Sequence, residues 1–196
     1  MFSENIKKLF RRSLHPLIML FVMLKITPNM LTAAGLLINI YVAYLIATGN
    51  FILGGIILIV ASLFDTFDGE LARTTGKVTK VGAFLDSIAD RYAEFFILGG
   101  VAYYFIGNDL NIGIMAAFFS LVGAIMTSYI RARAEGIGIE LKKGFFQRPE
   151  RMIFLIITFL FLSRYLVYAM MIFAFATVIT ALQRTIIGIN SIKMIK

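Results

Sequence analysis

Phe51-Ile52-Leu53-Gly54-Gly55-Ile56-Ile57-Leu58-Ile59-Val60-Ala61-Ser62-Leu63-Phe64-Asp65-Thr66-Phe67-Asp68-Gly69-Glu70-Leu71-Ala72-Arg73 is the stretch on which the reading turns. It begins as uncharged hydrocarbon and ends in acids. Asp65 and Asp68 lie three apart, which places them on one face of a helix. A few residues on, Gly82-Ala83-Phe84-Leu85-Asp86-Ser87-Ile88-Ala89-Asp90-Arg91 opens a second helix whose acids, Asp86 and Asp90, lie four apart. The connection between the two is short, so the helices are expected to be antiparallel neighbours with all four carboxylates at similar depth. Gly69 and Gly82 lack side chains at that level, which leaves room for a backbone or a ligand to come close.

The composition sets the surroundings. The 196 residues are 60% hydrophobic and 15% charged, with a mean hydropathy of +0.88. Average soluble chains are about 25% charged, so a water-soluble globule and a disordered chain are both excluded. A membrane span needs about 20 apolar residues, so the length allows five or six spans and leaves no room for a separate soluble domain. The expected fold is an all-α integral membrane protein forming one domain. An interfacial amphipathic helix over 1–26 turns Lys7, Lys8, Arg11 and Arg12 toward headgroups, and a six-helix core follows over 27–196. Pro16 interrupts the first segment, and its apolar run from Leu17 to Leu24 is too short to span. The spans are expected over 29–48, 51–73, 81–106, 111–134, 149–163 and 165–188.

Charge supports that count. The connections near 49–50, 107–110 and 163–165 hold a single basic residue, Arg164, while the other 18 of the 19 Lys and Arg fall on or beside the opposite connections and the termini. Lys and Arg concentrate on the cytoplasmic side, so both termini and the acids are expected to be cytoplasmic in a multi-pass plasma-membrane protein. The net charge of +8 then reflects this bias and contact with anionic membrane lipid rather than nucleic acid.

Carboxylates within membrane segments are rare and by default functional. Arg73, Arg91 and Lys77 offer partial neutralisation, but an ion-pair cluster does not require two carboxylates per helix facing one space. With no Cys and only His15, which reads as interfacial, thiolate chemistry and His-cluster metal sites are excluded. Divalent metal accounts better for the acids: Mg2+, Mn2+ or Ca2+ suit an all-oxygen site, and two ions balance four carboxylates. Paired metals recur where phosphorus undergoes displacement, and a neighbouring base such as Arg73 can hold a phosphate oxygen.

The pattern Asp65-x2-Asp68-Gly69-x2-Ala72-Arg73-x8-Gly82-x3-Asp86-x3-Asp90 resembles the signature of the CDP-alcohol phosphotransferase family at every fixed position. At roughly one in fifteen per position, such a match arises by chance about once in 10⁹ windows. The resemblance implies transfer of a substituted phosphate from a CDP-linked lipid to an alcohol, releasing CMP. It implies that Asp65, Asp68, Asp86 and Asp90 bind two ions, Mg2+ or Mn2+, and that Asp90 also takes the acceptor's proton. It further implies that Asn29, Thr32, Gly69, Arg73 and Thr79 hold the CDP-lipid, and that the enzyme is a homodimer. Gly99, Gly100, Ala102, Gly113, Ala116 and Ala117 are candidates for the dimer face. Glu70 adjoins the signature without belonging to it.

Ser128-Tyr129-Ile130-Arg131-Ala132-Arg133-Ala134-Glu135 and Arg148-Pro149-Glu150-Arg151 resemble the branch that accepts inositol phosphate, the phosphatidylinositol phosphate and archaetidylinositol phosphate synthases. In that branch three basic residues bind the acceptor's phosphate. Arg131, Arg148 and Arg184 match them, with Arg151 the alternative in the second place. Three guanidinium groups from three helices would suit a phosphate dianion, whereas serine or free inositol would not need them. Glycerol 3-phosphate is the runner-up acceptor. A cation channel or transporter would share the intramembrane acids, but the outer halves of the spans lack the polar path such a protein needs. CDP-diacylglycerol and CDP-archaeol are equally compatible with the apolar surface.

Overall fold

The computed structural model describes residues 4–141 and 143–195, with side chains described from Leu14 to Met194 apart from residue 142. All regular secondary structure among the described residues is helical: α1 (Glu4–Met23), α2 (Pro28–Ala47), α3 (Phe51–Thr74), α4 (Lys80–Gly107), α5 (Asn111–Gly136), α6 (Arg148–Phe161), a 3-10 turn (Ser163–Tyr165) and α7 (Leu166–Ile195). The helix starts are written in the sequence. Thr27 caps α2 by accepting from the Met30 amide at 3.3 Å, with Pro28 at the first turn where its missing N–H costs nothing. Thr79 caps α4 by accepting from the Gly82 amide at 3.0 Å. The turn after α3 is made by Gly76 at φ +66°, a conformation that glycine adopts freely.

Four helical stretches, 28–47, 51–74, 111–136 and 163–194, are long and apolar enough to cross a membrane. The other two expected spans differ from them for separate reasons. α4 has 28 residues but carries Asp86, Asp90, Arg91 and Glu94. α6 has 14 residues, about 21 Å at 1.5 Å per residue, and the 3-10 turn replaces the end expected for it near 163. α1 is one helix that runs through Pro16 rather than breaking there. Its second half docks on the bundle, with Ile18 buried against Leu31, Phe67 and Leu71. The side chains of Lys7, Lys8, Arg11 and Arg12 lie outside the described residues.

The helices alternate in direction, so their ends sort into two layers. At one end, Phe51 meets Tyr104 edge-on at 4.8 Å between ring centroids and stacks on Phe159 at 6.4 Å. A core of Val42, Ile46, Leu58, Ile97, Val101, Phe105, Leu155, Phe159, Met170 and Phe173 fills the middle. At the other end α2 starts, α3 ends, α4 starts and α6 starts, and these termini carry the acids. The most extensive packing joins α5 to α7 and α2 to both α3 and α4.

Small residues make those approaches possible, which corrects one expectation. Gly100 faces the Ala43 backbone, Gly113 faces the Phe105 ring, and Ala116 and Ala117 are buried in the core. These residues are used inside the chain and are not free for a dimer face; a side chain at Gly99, by contrast, would meet open space. Gly100→Ala is therefore expected to lower stability by about 1–3 kcal/mol, because a backbone neighbour cannot give way. Thermal unfolding in detergent should show this loss, with Gly99→Ala, which meets open space, losing no stability as the control.

Candidate active site

The acids expected at one depth do meet. Carboxylate oxygens of Asp65, Asp86 and Asp90 lie within 4.8 Å of one another. Asp68 lines the same small cavity but stands outside that close group, its Oδ2 accepting a 2.6 Å hydrogen bond from Thr32 Oγ1. The cavity is also lined by Gly35, Asn39, Ala61 and Ala93, so small side chains admit a ligand. The donor set is all oxygen and highly anionic, and the oxygens are close enough to share an ion. Such a set fits a hard divalent cation and does not fit a soft one.

Arg148, at the start of α6, reaches into this cluster. Its Nη1 donates to Asp65 Oδ2 at 2.9 Å and its Nη2 stands 2.6 Å from Asp90 Oδ1. Arg91 lies 3.5 Å from the other Asp90 oxygen and donates to the Ser87 carbonyl at 2.6 Å. Two guanidinium groups thus offset part of the charge that four acids bring together.

A cleft adjoins the cavity, and Thr32, Asp68 and Asp86 line both. The cleft lies between the start of α2, the end of α3 and the start of α4. All five residues expected to hold a CDP-lipid line it: Asn29, Thr32, Gly69, Arg73 and Thr79. The amino ends of α2 and α4 border it, and their unpaired amides and helix dipoles favour anions there. Arg73 is held by Glu70, which accepts from its Nε at 3.2 Å and its Nη2 at 2.9 Å. Glu70, which adjoins the signature, thus pairs with the arginine that lines the cleft. Gly82 is needed for space: a Cβ there would stand 3.1 Å from Thr79 Oγ1 and 3.4 Å from Asn29 Oδ1.

On the other side of Asp90 a larger groove opens between α4 and α5. Its polar wall includes Ser87, Arg91, Ser128 and Arg131, and its apolar wall Phe84, Ile88, Tyr92 and Phe95. Asp90 lines both the cavity and this groove.

The three arginines expected to share one phosphate each hold a different partner. Arg131 pairs with Glu135 at 2.8 Å, Arg148 bridges Asp65 and Asp90, and Arg184 donates to the Lys143 carbonyl at 3.1 Å and the Thr127 carbonyl at 2.7 Å. Arg184 is buried, and a Cβ on Gly144 would stand 2.8 Å from its Nε. Arg151, the alternative to Arg148, is also buried and forms a two-bond pair with Glu94 at 2.5 and 2.9 Å. Glu94 lies outside the signature, although a carboxylate one turn beyond Asp90 in an apolar span carries the same signal as the other acids.

Comparison with known proteins agrees with this geometry. The profile of the family described as CDP-alcohol phosphatidyltransferase matches residues 25–182. The archaetidylinositol phosphate synthase of Pyrococcus horikoshii is 45% identical over 139 residues, covering 70% of this chain and 71% of its own. The phosphatidylinositol phosphate synthase of Corynebacterium glutamicum is 35% identical over 142 residues, covering 70% of this chain and 64% of its own. Among solved structures, the Mycobacterium tuberculosis phosphatidylinositol phosphate synthase with CDP-DAG bound matches with a TM-score of 0.79 at 31% identity, over 87% of this chain and 90% of that one. The same enzyme with manganese and citrate gives 0.81 at 29% identity, over 88% and 87%.

Two substitutions separate cavity from cleft. Asp65→Asn, which alters the cavity and not the cleft, is expected to weaken Mn2+ binding by at least about tenfold, read by Mn2+ paramagnetic resonance on purified protein. Gly82→Val is expected to leave Mn2+ binding intact while raising the KM for a CDP-lipid roughly tenfold, because its side chain crowds Thr79 and Asn29.

Proposed function

The chain belongs to the CDP-alcohol phosphatidyltransferase family, and on that premise we propose that it transfers the phosphatidyl-type group of a CDP-linked lipid to inositol phosphate, releasing CMP. One observation carries the reading: the family's acids converge on one cavity, and its donor residues line the cleft beside it. The names of the inositol phosphate synthases among its relatives support that acceptor.

The donor's pyrophosphate lies in the cleft, between the amino ends of α2 and α4, with Arg73 on a phosphate oxygen and Asn29, Thr32 and Thr79 around the nucleotide. Gly69 and Gly82 leave the space this requires. Two Mg2+ or Mn2+ ions, held by Asp65, Asp68, Asp86 and Asp90, would neutralise the pyrophosphate and polarise the phosphorus under attack. The acceptor enters by the groove between α4 and α5. Its hydroxyl oxygen forms the new bond to the lipid-bearing phosphorus, the bond from that phosphorus to the CMP oxygen breaks, and Asp90 takes the hydroxyl proton. Arg131 and Arg148 bind the acceptor's own phosphate. Arg184 completes that phosphate site, and its bond to the Lys143 carbonyl also holds the connection that leads into Arg148.

The same reading includes six membrane crossings, with α4 and α6 among them, and α1 lying along the interface. It places the acids and both termini on the cytoplasmic face of the plasma membrane, which the sorting of Lys and Arg supports. It also includes a homodimer, carried by the family resemblance and testable by the mass of the detergent-solubilised particle.

The test is CMP release from CDP-diacylglycerol and from CDP-archaeol by purified protein with Mg2+, supplying inositol 1-phosphate, glycerol 3-phosphate, serine or free inositol separately. Release with inositol phosphate alone is expected, and EDTA should stop it. Asp90→Asn should lower turnover by about 10²–10⁴ while CDP-lipid binding persists. Release with glycerol 3-phosphate or serine instead would overturn the acceptor, and no release with any of them would overturn the reaction.

A further inference from the structure

α6 is the shortest membrane helix here, yet it brings Arg148 to the carboxylates. It packs chiefly on α3, and its start has no side-chain cap. Two arginines connect it to α4. Arg148 and Arg151 lie three apart on α6, and Asp90 and Glu94 four apart on α4, so the pairs form two rungs one turn apart. The upper rung, Arg148 with Asp90 and Asp65, is part of the site. The lower rung is not: Glu94 and Arg151 are 4% and 1% exposed and line none of the clefts described above.

The lower rung is built for geometry. Arg151 Nε and Nη2 donate to the two Glu94 oxygens at 2.5 and 2.9 Å, the parallel fork that fixes both distance and angle. Its Nη1 donates to the Phe146 carbonyl at 3.2 Å, which ties down the connection entering α6. That connection is fastened from α7 as well, where Gln183 Oε1 accepts from the Phe145 amide at 3.0 Å and Thr180 Oγ1 from the Phe146 amide at 3.1 Å. A buried ion pair adds little net stability, since desolvation offsets its attraction, but it does restrict arrangement.

We propose that Glu94 and Arg151 are positioning residues for the transfer reaction: their ion pair fixes the start of α6 against α4 and so holds Arg148 where it meets the acceptor's phosphate. This rests on the reading of Arg148 given above. Neither residue touches a substrate. Their effect is exerted through Arg148, and a displacement of about 1 Å in a binding group is enough to cost up to about a hundredfold.

The experiment is a cycle among Glu94→Gln/Arg151→Gln, Arg148→Ala and their combination, with KM measured separately for inositol phosphate and CDP-lipid. The double amide substitution keeps the shape of the pair and leaves no lone buried charge. It is expected to raise the acceptor KM roughly tenfold with the donor KM within about twofold, and to add nothing in the Arg148→Ala background. An equal rise in both backgrounds, or in both KM values, would make the pair merely structural and overturn the proposal. An Arg148→Ala protein with a normal acceptor KM would overturn the reading of Arg148 itself, and the proposal with it. Should the amide pair prevent folding, Arg151→Lys keeps the charge and loses the fork; the same split in KM is expected, and its absence would be equally decisive.

Discussion

Four aspartates drawn together inside an apolar bundle repel one another and lose hydration, and most of the chain's polar organisation answers that constraint. Arg148 comes from α6 to bridge Asp65 and Asp90, Arg91 flanks Asp90 from the same helix, and Thr32 donates a hydroxyl to Asp68. Arg148 and Thr32 come from the first turns of α6 and α2, whereas Arg91 lies about three turns into α4. The opposite end carries no comparable charge, and it closes with aromatic contacts among Phe51, Tyr104 and Phe159. The polarity of the bundle, acids at one end and rings at the other, is the arrangement in which the fewest buried charges lie far from water.

The packing that holds the helices is of a different kind. Between α5 and α7 the contacts use small side chains and hydroxyls: Gly123 receives Thr177, Ser120 donates to the Met170 carbonyl at 3.3 Å, and Thr127 to the Thr177 carbonyl at 3.3 Å. In lipid, apolar surface gains nothing by leaving its surroundings, so close approach and hydrogen bonds are what remain to bring helices together. Arg184 extends this pattern by joining α5, α7 and the connection before α6 through backbone carbonyls.

Much of this was legible in the sequence, and the reasons differ by feature. Asp65, Asp68, Asp86 and Asp90 could be placed together because helical spacing and a short turn leave little freedom. Asn29, Thr32, Gly69, Arg73 and Thr79 were legible only through the family resemblance, and they line one cleft. The arginines were less legible: charge at a helix end says that an ion pair will form, not which one, and Arg131, Arg148 and Arg184 found three separate partners. The small residues of α4 and α5 suggest a dimer face in the sequence, yet Gly100, Gly113, Ala116 and Ala117 serve the chain's own packing. Small residues mark a close approach without naming the helix that makes it. Glu94 and Arg151 stand 57 positions apart, and nothing local links them. Only the assembled bundle shows that they meet.

Thr32, Asp68 and Asp86 line both the cavity and the cleft, and shared walls mean that two ligands do not bind independently. Where an ion alters the affinity for the lipid by some factor, the lipid must alter the affinity for the ion by the same factor. The hydroxyl of Thr32 is a natural carrier of that reciprocity, since reorienting Asp68 toward one ligand changes what it can offer the other. The resting and loaded forms of such a protein are thus expected to differ in how readily they exchange metal. Saturation with divalent cation would then shift the lipid concentration at which the enzyme is half-filled, and the lipid would shift that for the cation.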